Sequence, residues 1–363
     1  MNKIYELPTG YGKSLVALKL LDLTKPNLIV IPKLCLIQNW KDEMKKWGFD
    51  DSNVVFTTYI SLKKHVNKWY SAVCCDEGQH LSERARYYLE QIKTDNRYFL
   101  SATFTREIKE YLFNRYNCTI EKKTLRDSID SGRLPDPTVY LIRLKLDDCW
   151  KKYPYETISN KKKTTIMLTQ QGYYNKLSNT IEWYKNKVMY EGKSNMKAMW
   201  MAKCLQRNKQ LSRFKEPVTK KLLQILKDER VLTFCCDIKQ ARDLGENCIT
   251  SDNKNALNIL EQFNNGDINH ITTCNILAEG VNLKNCKYGI FNYINSSYIL
   301  VNQKNGRVLR DKHPVIFIPY YENTREEELV NKMLELYNKD LVKYVSESYL
   351  DLKLKQENYG KRD

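Results

Sequence analysis

Three stretches of this 363-residue sequence have the residue types and spacing for chemistry on phosphates. In IYELPTGYGKS (Ile4–Ser14) a short apolar run enters a glycine-rich turn, and a helical pattern of Leu15, Leu18 and Leu21 follows. Gly10 and Gly12 let backbone N–H groups turn inward, Lys13 adds a point charge for β- and γ-phosphates, and the Ser14 hydroxyl can sit on Mg²⁺. Leu7 stands where the strict G-x-x-x-x-G-K-[ST] pattern has its first glycine. Asp76-Glu77 ends the apolar run SAVCC roughly sixty residues later. There an aspartate can hold the metal opposite Ser14, and the neighbouring glutamate can orient or deprotonate an attacking water. The third stretch, QKNGRVLR (Gln303–Arg310), carries two arginines one helical turn apart, which can stabilise charge on a transferring γ-phosphoryl group.

These side chains need a frame. Apolar, β-rich runs at Leu28–Pro32, Val54–Thr57, Ser71–Cys75 and Tyr98–Ala102 alternate with helical patterns, and each ends in polar residues. That is the pattern of a doubly wound parallel sheet with its site along the strand C-termini. A turn-rich segment, Ser128–Pro137, precedes a strand at Val139–Leu146, and the alternation resumes at Val231–Cys236, Ile271–Thr273, Gly289–Asn292 and Val315–Pro319. Between these lies a stretch, 147–227, with few strand signals and helical spacing at Leu177, Ile181, Tyr184 and Val188. It holds 18 Lys and Arg against 6 Asp and Glu, most of the chain's net +17, and is interleaved with Trp150, Tyr173, Trp183 and Trp200. Lysines can neutralise phosphates while aromatics stack on bases. Equally, the aromatics can pack the helices together. Lys161, Lys162 and Lys163 are the expected backbone-contacting run.

The basic balance favours a polyanionic partner. The 11 cysteines fall largely in apolar runs and form no C-x-x-C, so they read as buried thiols of a reducing compartment. With four scattered histidines, a His-rich metal site is not expected. No secretory signal is present, and the longest apolar run, around Leu28–Ile37, is broken by Pro32 and Lys33. The expectation is an intracellular protein with no membrane partner, cytoplasmic, or in the host cytoplasm if viral.

Taken in order, the motifs resemble those of superfamily 2 helicases: TGYGKS (motif I), VIPKLCLIQNW (Ia), DEGQH (II), SAT (III), VLTFCC (IV), LAEGVNL (V) and QKNGRVLR (VI). The likeness covers about 13 to 310 and looks closest to the DEAH-like branch that includes XPB, restriction motors and phage DNA helicases. It implies an α/β fold of two tandem RecA-like P-loop domains with parallel sheets, 1–130 and 131–335, a helical basic insertion at about 147–227 and a charged tail at 336–363. It implies that Thr9, Gly10, Gly12, Lys13 and Gly280 bind ATP, that Ser14 and Asp76 hold Mg²⁺, and that Glu77 is the catalytic base. Gln303 would sit near the γ-phosphate, with Arg307 and Arg310 as arginine fingers. Gln79, His80, Ser101 and Thr103 would couple hydrolysis to motion, and Pro32, Lys33, Thr58 and Thr273 would line the nucleic-acid track. Three departures stand out. Asn282 replaces the usual ribose-contacting aspartate, and Lys304 replaces an arginine. The family's upstream helix and glutamine, which recognise adenine, do not precede Ile4. The base is then held loosely, or a protein partner completes the pocket, or the reading frame is shortened. The reading is an ATP-driven nucleic-acid motor, DNA favoured over RNA. The alternatives are a non-hydrolysing nucleic-acid-binding module or scaffold subunit, and a motor subunit of a restriction-type complex.

Overall fold

The computed structural model describes residues 1–34, 36–159, 162–274, 283–284, 286–294, 311–350 and 352. They fall into two compact units, one built on Met1–Asp136 and the other on Pro137–Ile276 and the chain from His313 on.

The first unit contains strands β1 (Asn2–Glu6), β2 (Asn27–Ile31), β3 (Val54–Thr58), β4 (Trp69–Cys75), β5 (Lys93–Ser101) and β6 (Thr119–Lys122). Its helices are α1 (Lys13–Leu18), α2 (Leu36–Lys46), α3 (Glu83–Glu90), α4 (Arg106–Tyr116) and α5 (Leu125–Asp130). The strands form one parallel sheet in the order β3-β2-β4-β5-β1-β6. Successive strand residues face opposite sides. Thus Ile4, Leu28, Val30, Val73 and Phe99 pack with α3 and α4, whereas Tyr5, Ile29, Ile31, Ala72 and Leu100 pack with α1 and α2. With both faces covered, the central strands need apolar residues at every position. β1, β4 and β5 therefore bring Thr9, Asp76 and Ser101 to one edge of the sheet.

The second unit has β7 (Thr138–Leu144), β8 (Tyr153–Ser159), β9 (Lys162–Leu168), α6 (Gln170–Met189), α7 (Lys197–Phe214), α8 (Glu216–Ile225), β10 (Val231–Phe234) and α9 (Ile238–Leu244). There follow β11 (Cys248–Ile249), α10 (Ala256–Asn265), β12 (His270–Thr273), β13 (Tyr288–Ile290), β14 (Val315–Tyr321), α11 (Arg325–Leu334) and β15 (Val342–Ser346). Its parallel sheet runs β11-β12-β10-β13-β14-β7-β15.

Two segments differ from expectation. The basic stretch after β7 begins with an antiparallel hairpin, β8 against β9, before its helices. The β-branched residues Thr157, Ile158, Thr164, Thr165 and Ile166 favour strand there, and the lysine run between them hides the period. Residues 342–346, expected within a charged tail, instead pair with β7 as β15. No described helix is long and apolar enough to cross a membrane.

Candidate active site

The turn after β1 is positioned by continuation of the ladder: Leu7 N–H donates to Ser101 O at 2.9 Å. Gly10 and Gly12 then take φ of 91° and 94°, the left-handed region that a side chain disfavours. No atom lies within 4 Å of where a Gly12 Cβ would be, so backbone conformation, not crowding, requires glycine there. The turn opens a cleft of ≈ 440 Å³ lined by Thr9, Gly10, Lys13, Ser14, Trp40, Asp76 and Glu77, among others.

The polar atoms of this cleft are incompletely satisfied. Lys13 Nζ and Thr9 Oγ1 are buried with no hydrogen-bond partner among the described residues. Lys13 is one-tenth exposed and has an ion-pair contact at 3.7 Å to Glu77 Oε1, itself one-tenth exposed. A buried ammonium lacking hydrogen bonds is costly, and a phosphate would satisfy it. Burial pushes the Asp76 carboxyl up to about 6, helped by Glu77 beside it and opposed by Lys13 and by a hydrogen bond from Trp40. Two adjacent carboxylates facing one lysine leave local charge unbalanced, and Ser14 offers a further oxygen on the same cleft. This donor set fits a divalent cation, with Ser14 and Asp76 as the residues that would hold it. Among the described residues no cluster of three or more His, Cys, Asp or Glu suits a metal ion.

Glu77 has φ 49° and ψ 55°, left-handed for a non-glycine residue. Such strain persists where the surroundings over-determine it. Here Glu77 N–H donates to Asp76 Oδ1 at 3.0 Å, and Gln79 Nε2 donates to Glu77 Oε2 at 3.0 Å. From Gln79 the line continues: Ser101 Oγ donates to Gln79 Oε1 at 2.5 Å and accepts from Thr103 N–H at 3.1 Å. Thr103 Oγ1 is buried without a partner among the described residues. His80 lies with its ring tilted against Tyr59, 6.3 Å between centroids.

The structure thus gathers Thr9, Gly10, Gly12, Lys13, Ser14, Asp76 and Glu77 at one cleft and links Glu77 to Gln79, Ser101 and Thr103. Lys33 is exposed and Pro32 partly so, while Thr58 is 9% exposed with its hydroxyl on Ser61 at 3.2 Å. Thr273 is fully buried on β12, and its hydroxyl donates to Ile249 O at 3.0 Å, tying two strands together. Gly280, Asn282, Gln303, Lys304, Arg307, Arg310 and Lys161 lie outside the described residues. Lys162 and Lys163 are in β9, and Lys163 is exposed.

Two residues of the site escape sequence reasoning. Trp40 looks like a helical core residue, but its Nε1–H donates to Asp76 Oδ2 at 3.0 Å. The hint was available, because a buried indole needs an acceptor. Tyr59 is also buried, and its hydroxyl donates to Asp76 O at 2.7 Å, fixing the backbone of the acidic pair. Most of the described cysteines are buried, as their apolar runs suggest, and burial pushes the Cys75 thiol up to about 12.

Residues 215–312 match the helicase conserved C-terminal domain. The DNA 3'-5' translocase XPB2 of Sulfurisphaera tokodaii is 24% identical in a 341-residue alignment that covers 85% of this chain and 75% of that protein. A variant of S. cerevisiae Dbp5 bound to RNA and ADP BeF3 superposes with a TM-score of 0.60 at 14% identity, over 99% of this chain and 88% of that one. The Pyrococcus furiosus Hef helicase domain gives 0.52 at 14% identity, over 91% and 94%. These likenesses establish the fold as two tandem RecA-like α/β domains. In sequence and in fold the chain is thus similar to helicases of this two-domain architecture.

Proposed function

We propose that this protein hydrolyses ATP in the cleft over Gly10–Ser14 and uses the energy to move along, or unwind, nucleic acid. The observation that carries this reading is the buried Lys13 ammonium, which has no hydrogen-bond partner among the described residues and faces Asp76 and Glu77 across the cleft. Thr9, Lys13 and the N–H groups of the glycine turn would bind the phosphates. Ser14 and Asp76 would hold Mg²⁺, which when bound supplies charge neutralisation at the β- and γ-phosphate oxygens. Without nucleotide, Glu77 serves as counter-ion to Lys13. A γ-phosphate would take over that partner and leave the Glu77 carboxylate for the attacking water. The line through Gln79 and Ser101 to Thr103 would transmit the change. Arg307 and Arg310 would stabilise charge on the transferring phosphoryl group. The XPB2 relative is a DNA translocase, which supports DNA as the track.

Phosphate release measured with and without single-stranded DNA, duplex DNA and RNA tests this reading. The expected result is DNA-stimulated turnover that Lys13→Ala and Glu77→Gln abolish. Arg307→Ala should lower turnover on the order of 10³-fold or more while DNA binding survives. Salt-sensitive binding with no stimulated turnover would instead make the chain a non-hydrolysing binding module. Unchanged turnover in Arg307→Ala would refute the arginine-finger role.

A further inference from the structure

The insertion of the second unit is two things joined end to end. Its root is core: Tyr155, Tyr173, Leu177, Leu211 and Phe214 pack with Ile142, Leu144 and Val231 of the central sheet. Beside them Ser212, Gln240, Thr219 and Asn292 form a buried hydrogen-bonded group, with Ser212 Oγ donating to Gln240 Oε1 at 2.8 Å and Thr219 Oγ1 to Asn292 Oδ1 at 2.7 Å. Lys215, at the α7–α8 junction, is fully buried against Glu326. The root is therefore firmly held.

The far end is different. From Glu182 to Gln210, spanning the last turns of α6, the connection through Gly192 and most of α7, no residue is buried. At 1.5 Å per residue the free part of α7 extends about 20 Å. Large side chains nonetheless stand in the open there: Trp183 is 50% exposed and Tyr190 82%, with Met189, Met199, Met201 and Leu205 also exposed. The same span carries seven Lys and Arg against two Glu. Lys187 Nζ lies 5.6 Å from the centre of the Trp183 ring. Lysine is depleted in protein–protein interfaces, whereas lysines interleaved with exposed aromatic rings match a ligand with phosphates and flat bases.

We propose that the tip of the α6–α7 hairpin is a binding surface for single-stranded nucleic acid, with Trp183 and Tyr190 stacking on bases and Lys187, Lys193 and Lys197 contacting phosphates. The proposal rests on the motor reading and adds a contact made by an element outside the ATP cleft.

The test compares wild type with a Trp183→Ala/Tyr190→Ala double variant and a Lys193→Glu/Lys197→Glu double variant. The readouts are fluorescence anisotropy with a labelled single-stranded oligonucleotide at several salt concentrations, basal phosphate release and thermal melting. Both variants should melt like wild type, because the altered side chains are exposed, and should keep basal turnover. The aromatic variant should lose about 10-fold or more in single-strand affinity, since base stacking on aromatic rings is sequence-tolerant and strong. The lysine variant should bind more weakly and with a shallower salt dependence. A photoreactive thymine analogue in the oligonucleotide should crosslink to peptides containing Trp183 or Tyr190. If wild type binds and both variants bind equally well with no crosslink at the tip, the hairpin surface is refuted while the motor reading stands. If wild type itself binds no nucleic acid, both fail together.

Discussion

Lys215 and Glu326 make the sharpest energetic prediction. Lys215 Nζ donates to Glu326 Oε1 at 2.6 Å and to Pro319 O at 3.0 Å, and Tyr321 N–H donates to Glu326 Oε2 at 3.2 Å. The side chains are 0% and 2% exposed. Burial pulls the lysine below its ordinary value and pushes the glutamic acid above its own, each opposed by the partner's charge. Lys215→Met keeps most of the volume but strands a carboxylate inside the root of the α6–α7 hairpin. Removing one partner of a buried ion pair costs about 3–5 kcal/mol. For a unit of this size that is about 10 °C or more in melting temperature. The deficit also depends on pH. A carboxyl whose folded-state pKa is raised favours folding at low pH, with the full contribution below its ordinary value of 4.5 and loss as pH rises through the raised value. Without its lysine Glu326 is raised further, so Lys215→Met should be far less stable than wild type at pH 7.5 and recover part of the difference near pH 5. Lys215→Met/Glu326→Gln removes both charges, keeps an acceptor for Tyr321 N–H, and should regain most of the loss. Urea unfolding of the three proteins at both pH values measures this. A deficit below about 1 kcal/mol, or one equally large in the double variant, would refute the argument that the stranded charge is what destabilises.

Two further outcomes follow from the first unit. Trp40→Phe keeps the packing of α2 but removes the donor to Asp76 Oδ2; at about 1.5–3 kcal/mol for a hydrogen bond to a carboxylate, the Mg²⁺ concentration for half-maximal phosphate release should rise about 10- to 150-fold. A Mg²⁺ titration checks this, and an unchanged midpoint would make Trp40 a packing residue only. Gly78→Ala would bring a methyl group to 2.7 Å from Phe104 Cε1, and because Phe104 is 6% exposed the ring has little room to yield. A loss of about 1–3 kcal/mol by thermal or urea unfolding is expected, whereas a variant as stable as wild type would show that the ring moves freely.

The central strands were legible because burial on both faces demands an unbroken apolar run, as in Leu28–Ile31 and Val73–Cys75. β6 and β15 were not. Both lie at sheet edges with largely exposed residues, so their sequences, TIEK and VKYVS, carry no such signal. The hairpin β8–β9 was hidden by its own lysines. The aromatics of the insertion, on which two readings were balanced, divide between them: Tyr155 and Tyr173 belong to the core, while Trp183 and Tyr190 stand in the open.

By itself the sequence determined what is local: two left-handed glycines before Lys13 and Ser14, an acidic pair ending a buried strand, and the alternation that makes parallel sheets. Tertiary structure decided what depends on residues distant along the chain. Trp40 meets Asp76 across 36 residues and Lys215 meets Glu326 across 111, and no spacing rule foretells either. The same packing turned Thr273 inward to the sheet and left residues 182–210 of α6 and α7 unburied. A side chain's partner is set by which elements the core brings together, and that is a property of the whole folded chain.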